Sequence, residues 1–144
     1  FGPPLPVSPI DQVRRVVEYA LTEIPGEKIS MGIPTYGYDW TLPFVRGTAA
    51  EPLSAQEAVA RAFEKKAQIQ YDETAQAPYY TYWQQDNTGT PREHIVWFQD
   101  ARSADALLRL IREYGLDGAG IWNIMRWFPQ LWAVLNQLYT IRKV

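Results

Sequence analysis

The order of elements predicts an α/β fold interrupted by a small α+β unit. Three observations carry that expectation. Apolar residues recur at helical spacing in stretches that alternate with two short apolar runs, Lys28–Pro34 and Asp117–Trp122. A separately capped helix and three strand-like segments fall between the first run and the next long helix. With that unit removed, what remains is α-β-α-β-α, the repeat of parallel α/β folds, whose functional residues sit just past strand C-termini.

The first nine residues, FGPPLPVSP, are proline-rich and are expected to be extended. Ser8 as N-cap, Pro9 at the first helical position and Asp11 in the first turn mark a helix start. Ile10, Val13, Val17, Leu21 and Ile24 follow at helical spacing, and Pro25 with Gly26 stop the helix. In Lys28–Pro34, Ile29, Met31 and Ile33 alternate with small residues, the pattern of a short buried strand that Pro34 ends. The aromatic segment Thr35–Trp40 comes next. Ser54 with Glu57 three residues on forms a capping box, and its helix should reach about Ala67 with Val59, Ala62 and Phe63 inward. Ile69–Tyr71, Tyr79–Trp83 and His94–Phe98 read as strands of a small antiparallel sheet. Ser103 is expected to cap the next helix, with Leu107, Leu108 and Ile111 as its apolar stripe and Gly115 at C′. Asp117–Trp122 is the second buried strand, and Pro129 opens a last helix carrying Leu131, Trp132, Leu135 and Leu138.

Composition narrows the function classes. The 144 residues are 47% apolar and 21% charged, enough for one packed domain. A net charge of −2 supplies no long-range field for nucleic acid or an anionic membrane, and no apolar run approaches the roughly 20 residues of a membrane span. There is no cysteine, so disulfides, thiolate nucleophiles and cysteine-ligated zinc are excluded. No phosphate-binding glycine loop and no G-x-S-x-G elbow occurs, so no nucleotide cofactor is expected. The sole histidine, His94, reads as a surface residue of a strand, and the carboxylates match no metal-ligand spacing. The chain opens on Phe1 rather than Met and is read as a piece of something longer.

Aromatic residues are 14% of the chain, with six Trp and nine Tyr. Tyr36, Tyr38 and Trp40 follow the first strand and Trp122 ends the second. Indoles and phenols converging on one mouth form an apolar floor with polar rims, which suits the C–H face of a pyranose and its peripheral hydroxyls. Asp39 is the best-placed carboxylate, within the aromatic segment, whereas Asp100 reads as a turn into a helix. Trp127 and Trp132 read as packing residues.

Four stretches in order, Gly32–Trp40, Ile69–Tyr82, His94–Ser103 and Tyr114–Trp132, resemble the C-terminal part of glycoside hydrolase family 18. The bacterial spore-cortex and germination branch of that chitinase-like family is the nearest in pattern. The resemblance implies a (β/α)8 barrel in which Lys28–Pro34 is strand seven and Gly118–Trp122 is strand eight. Residues 1–40 and 99–144 would be barrel segments and residues 41–98 an α+β insertion. It also implies that Trp122 floors the −1 sugar subsite, that Tyr36, Tyr38, Asp39 and Trp40 line the cleft, and that Tyr80 belongs to one wall. Its substrates are peptidoglycan or chitin, its action extracellular or in the spore envelope. The family cleaves β-1,4 bonds next to N-acetylglucosamine with the substrate's own N-acetyl oxygen as nucleophile and a glutamic acid in D-x-x-D-x-D-x-E as general acid. No such motif, nor even D-x-D, occurs in these residues. A general acid is worth about 10²–10⁴ in rate, so the residues alone are expected to be inactive. Two parallel strands cannot close a barrel, which predicts self-association or pairing with the missing barrel segment. A non-catalytic sugar-binding module using the same aromatic cleft, and a structural α+β domain with the aromatics as core, remain alternatives.

Overall fold

The computed structural model describes residues 1–140 as two sheets and four helices. Helix α1 (Ile10–Glu23) leads through a 3-10 turn into strand β1 (Ser30–Pro34). Strands β2 (Tyr36–Leu42) and β3 (Glu51–Ser54) precede helix α2 (Ala55–Glu64). Then come β4 (Gln70–Asp72), β5 (Ala77–Gln85) and β6 (Pro91–Trp97), helix α3 (Ala101–Glu113), strand β7 (Gly118–Trp122) and helix α4 (Pro129–Leu138).

The two apolar runs pair with each other as expected. β1 and β7 are parallel neighbours, with Gly32 opposite Gly120 and Pro34 opposite Trp122. Met31 and Ile33 point into a core built with Val17 of α1, Leu107, Leu108 and Leu110 of α3, and Leu131 of α4. Gly115 follows α3 at positive φ, and the amides of Gly115 and Leu116 donate to the carbonyls of Arg112 and Ile111. Those bonds satisfy the last helical carbonyls and turn the chain into β7.

The second sheet has five antiparallel strands in the order β3-β2-β6-β5-β4. Tyr36–Leu42, read from sequence as an aromatic segment beyond a strand, is itself a strand in this sheet, flanked by β3 and β6. Gly37 makes that position available: a Cβ there would lie 2.6 Å from the Cα of Phe98. The β5 and β6 strands are longer than the sequence suggested, and α2 covers one face of the sheet.

The buried face of α2 differs from expectation. Ala62 faces the sheet as expected and Ala58 joins it, while Ala55 packs into the core of the parallel pair, Val59 is exposed and Phe63 is 87% exposed. The reason is steric. The sheet supplies Tyr80, Tyr82 and Phe98 to this interface, and the Tyr80 hydroxyl donates to the Ala58 carbonyl at 2.8 Å. Large side chains on both surfaces would hold the layers apart, so the helix presents alanines.

Two caps are also reassigned. Asp100, not Ser103, caps α3: its carboxylate accepts from the amides of Arg102 and Ser103, and the Ser103 hydroxyl returns to the Asp100 amide at 2.9 Å. Ser8 does not cap α1; the N-cap is Pro9, in extended conformation and without a side-chain bond. The α2 capping box of Ser54 and Glu57 forms as read.

Candidate sugar cleft at the joint between the sheets

A single residue, Thr35, separates β1 from β2. Its amide donates to the Trp122 carbonyl at 3.0 Å. Its hydroxyl donates to the Asn123 carbonyl at 2.8 Å and accepts from the Asn123 amide at 3.0 Å. Thr35 is almost fully buried, so three bonds in a dry setting tie the end of β7 to the start of β2. The Trp122 indole stands 68% exposed beyond this tie. The Trp122–Asn123 peptide is cis.

Pairing brings a second element to the same place. Tyr36 lies opposite Ser54 in the β2–β3 ladder, so the N-terminus of α2 stands beside the loop that follows Trp122. Between them is an open cleft of about 460 Å³ lined by Ser54, Glu57, Asn123, Met125, Arg126 and Trp127. Met125 and Trp127 are mostly exposed, contrary to the packing role expected of Trp127. Burial raises the Tyr36 phenol above its ordinary range, the neighbouring Tyr38 adds to that, and the positive charge of Arg126 opposes it.

Strand alternation divides the candidate residues between two faces. Tyr36, Tyr38 and Trp40 project together, with 5.6 Å between successive ring centroids. Trp122, Tyr36 and Tyr38 retain exposed surface. Trp40 does not: it is buried under the N-terminal residues, and its indole donates to the Gly2 carbonyl at 3.0 Å.

Asp39 and Tyr80 occupy the opposite face, under α2, and are corrections to the expected cleft lining. The Asp39 side chain is 2% exposed and accepts from Arg61, from the Tyr82 hydroxyl at 2.6 Å and from His94 at 2.9 Å. His94 stacks on Tyr82 and is half-buried rather than a surface residue. Arg61 also grips Glu51 through two bonds of 2.8 Å, and that guanidinium holds the Glu51 carboxyl below its usual range. Tyr80 is completely buried, and desolvation pushes its phenol up. Neither side chain presents surface to a ligand. This parity was available once β2 is read as a strand. Arg126 and Asn123, by contrast, line the cleft without having been singled out; a lone cation inside an aromatic run was the available signal.

Among the described residues no group of three or more His, Asp or Glu side chains could hold a metal ion, and no helix is long and apolar enough to cross a membrane.

Known proteins share both sequence and shape with the chain. The family described as "Glycosyl hydrolases family 18" matches residues 6–126. The cortical fragment-lytic enzyme of Bacillus subtilis (strain 168) is 49% identical over 143 residues, which is 99% of this chain and 32% of that protein. The crystal structure of the Bacillus megaterium QM B1551 spore cortex-lytic enzyme SleL superposes with a TM-score of 0.91 at 46% identity, covering 99% of this chain and 33% of that one. A Chromobacterium violaceum chitinase superposes at a TM-score of 0.81 and 30% identity, over 93% of this chain and 40% of its own. The chain thus spans about a third of the length of the curated relatives it matches first.

Proposed function

The chain belongs to glycosyl hydrolase family 18, and from that premise we propose that it supplies the sugar-binding floor and one wall of a glycosidase cleft acting on peptidoglycan or chitin-like glycan. The exposed Trp122 indole at the C-terminal end of β7 carries this reading. An indole left open to water at a parallel strand end is costly as packing and well suited as a platform for a pyranose. Tyr36, two residues beyond the Pro34 that pairs with Trp122, and its ring neighbour Tyr38 are the rim residues in this reading, their hydroxyls offering hydrogen bonds to sugar oxygens. In this reading β1 and β7 are the seventh and eighth strands of a (β/α)8 barrel, and the five-stranded sheet with α2 is the insertion between strand seven and its helix.

The residues bind and orient; they do not supply the proton. None of their carboxylates lies in a D-x-x-D-x-D-x-E motif. The candidate carboxylate nearest the aromatic segment, Asp39, is consumed by its three partners. Cleavage therefore depends on an acid outside these 144 residues, and the chain by itself is inactive on glycan. The spore envelope or the cell exterior, where the named relatives' cortex substrate lies, is the proposed place of action.

Tryptophan fluorescence titrated with N-acetylglucosamine oligomers tests the reading. Binding should shift or quench emission, and Trp122→Ala should weaken affinity by about 2 kcal/mol, roughly thirty-fold, as expected for a stacked aromatic anchor. An unchanged titration in Trp122→Ala would sink the proposed platform.

A further inference from the structure

Arg126 sits in the cleft as a cation with little to hold. Its amide donates to the Asn123 carbonyl at 3.2 Å, a turn that sets the side chain four residues beyond Trp122. The guanidinium makes no hydrogen bond among the described residues. Its one charged neighbour is Glu57, at 3.9 Å. That carboxylate is already engaged: it accepts from the Ser54 amide at 2.7 Å as part of the α2 capping box. The Arg126 side chain is only 31% exposed, so water compensates its donors incompletely. A guanidinium offers five N–H donors in a planar fork that matches a carboxylate. One left partly dry and unmatched next to a ligand platform is an unmet demand for an anion.

A neutral chitin chain offers hydroxyl and amide oxygens that can accept from the fork but no charge to match it. An acidic aminosugar polymer offers that charge. Resting on the sugar-cleft reading above, we propose that Arg126 is a specificity-determining residue, its guanidinium receiving a carboxylate carried by the glycan that stacks on Trp122. The carboxylate comes from a lactyl ether on the ring or from the end of a peptide linked to it; both present the same planar anion. Glu57 is the competitor the incoming carboxylate displaces from Arg126, and Glu57 keeps its bond to the Ser54 amide when it yields. The Asn123 Oδ1 at the same turn is buried with no partner among the described residues; as an acceptor it can take a hydroxyl or amide N–H of the glycan, while the carboxylate goes to Arg126.

The test is calorimetric binding to the full chain with three probes. These are chitotetraose, a peptide-free N-acetylglucosamine–N-acetylmuramic acid tetrasaccharide, and the same tetrasaccharide with L-alanine on its lactyl groups. At least one acidic oligomer should bind ten-fold to a hundred-fold more tightly than chitotetraose, the span expected for a charge-assisted pair. The tighter of the two acidic probes identifies the source of the carboxylate. Arg126→Gln should erase the preference, weakening the acidic oligomers at least ten-fold more than it weakens chitotetraose, and Arg126→Lys should keep part of it. Glu57→Gln, which preserves the capping box, should widen it. Equal affinity of the wild-type chain for all three probes, or an equal loss for all three in Arg126→Gln, overturns the inference while the sugar cleft stands. Binding of none of the three removes the cleft itself and the inference with it.

Discussion

Replacing Asp39 by Ala probes the joint between β2 and α2 from a buried carboxylate. The carboxylate receives three donors, from Arg61, Tyr82 and His94. They do not lose equally. Arg61 retains both bonds to Glu51, and His94 keeps enough exposure to find water. The Tyr82 hydroxyl is buried and loses the acceptor it donates to, which costs about 1–3 kcal/mol. Loss of the charged bonds to Arg61 and His94 adds about 1–2 kcal/mol after their partial rehydration. The sum is about 3 kcal/mol, a fall of about 6–12 °C in Tm for a chain of this size. Urea and thermal unfolding of the full chain, followed by circular dichroism, measure it. Tyr82→Phe removes the group that Asp39→Ala strands, so the double variant should be less costly than the sum of the singles by about 1–2 kcal/mol. Strict additivity, or an Asp39→Ala variant within about 1 kcal/mol of wild type, would refute the reasoning. A sugar affinity that falls in Asp39→Ala without any fall in stability would return Asp39 to the cleft.

Gly37→Ala should destabilise by about 1–3 kcal/mol in the same unfolding assay, because its Cβ would run into the Trp97 carbonyl and the Phe98 backbone; a neutral substitution would mean that β2 and β6 separate more easily than their pairing implies. Self-association is the remaining expectation. The β1–β7 sheet has two strands, with no further partner among the described residues, and an open apolar cleft of about 370 Å³ lies between α1 and β1, lined by Val13, Val16, Val17 and Met31 among others. Unpaired edges beside apolar surface favour association, so sedimentation of the 144-residue chain should show species heavier than monomer at micromolar concentration, and a clean monomer would contradict this.

The parallel pair was legible because both strands are short apolar runs bounded by clear stops, and α3 because Leu107, Leu108 and Ile111 keep helical spacing. β2 and β3 were not. Gly37 and Asp39 lower the strand propensity of β2; the glycine is there for close approach and the aspartate for a network that only the folded sheet assembles. β3 is four residues long and contains Pro52, which an edge strand tolerates because one side of its backbone needs no partner. The inward face of α2 was misread for a related reason. Hydrophobic periodicity puts the large Val59 and Phe63 inward beside Ala62, whereas an interface already filled by Tyr80 and Tyr82 keeps Ala62 and takes Ala58 in their place.

The same parity argument explains why the candidate site was half visible. Tyr36, Tyr38 and Trp40 alternate with Gly37 and Asp39, so one strand must send its aromatics and its carboxylate to opposite faces. A cleft that kept Asp39 beside Trp122 would require β2 to break its ladder with β6, in which Asp39 lies opposite Val96. The fold instead uses the carboxylate to lock the wall from behind, through Arg61 on α2, and leaves the front to rings. Since Thr35 alone joins that wall to the strand carrying the floor's partner, stiffness behind the wall is passed to the position of Tyr36 relative to Trp122. A sugar ring held between them, as proposed above, would need that spacing held to a fraction of an ångström. On the proposed reading, the buried network would be the means by which the cleft presents a fixed geometry to a glycan.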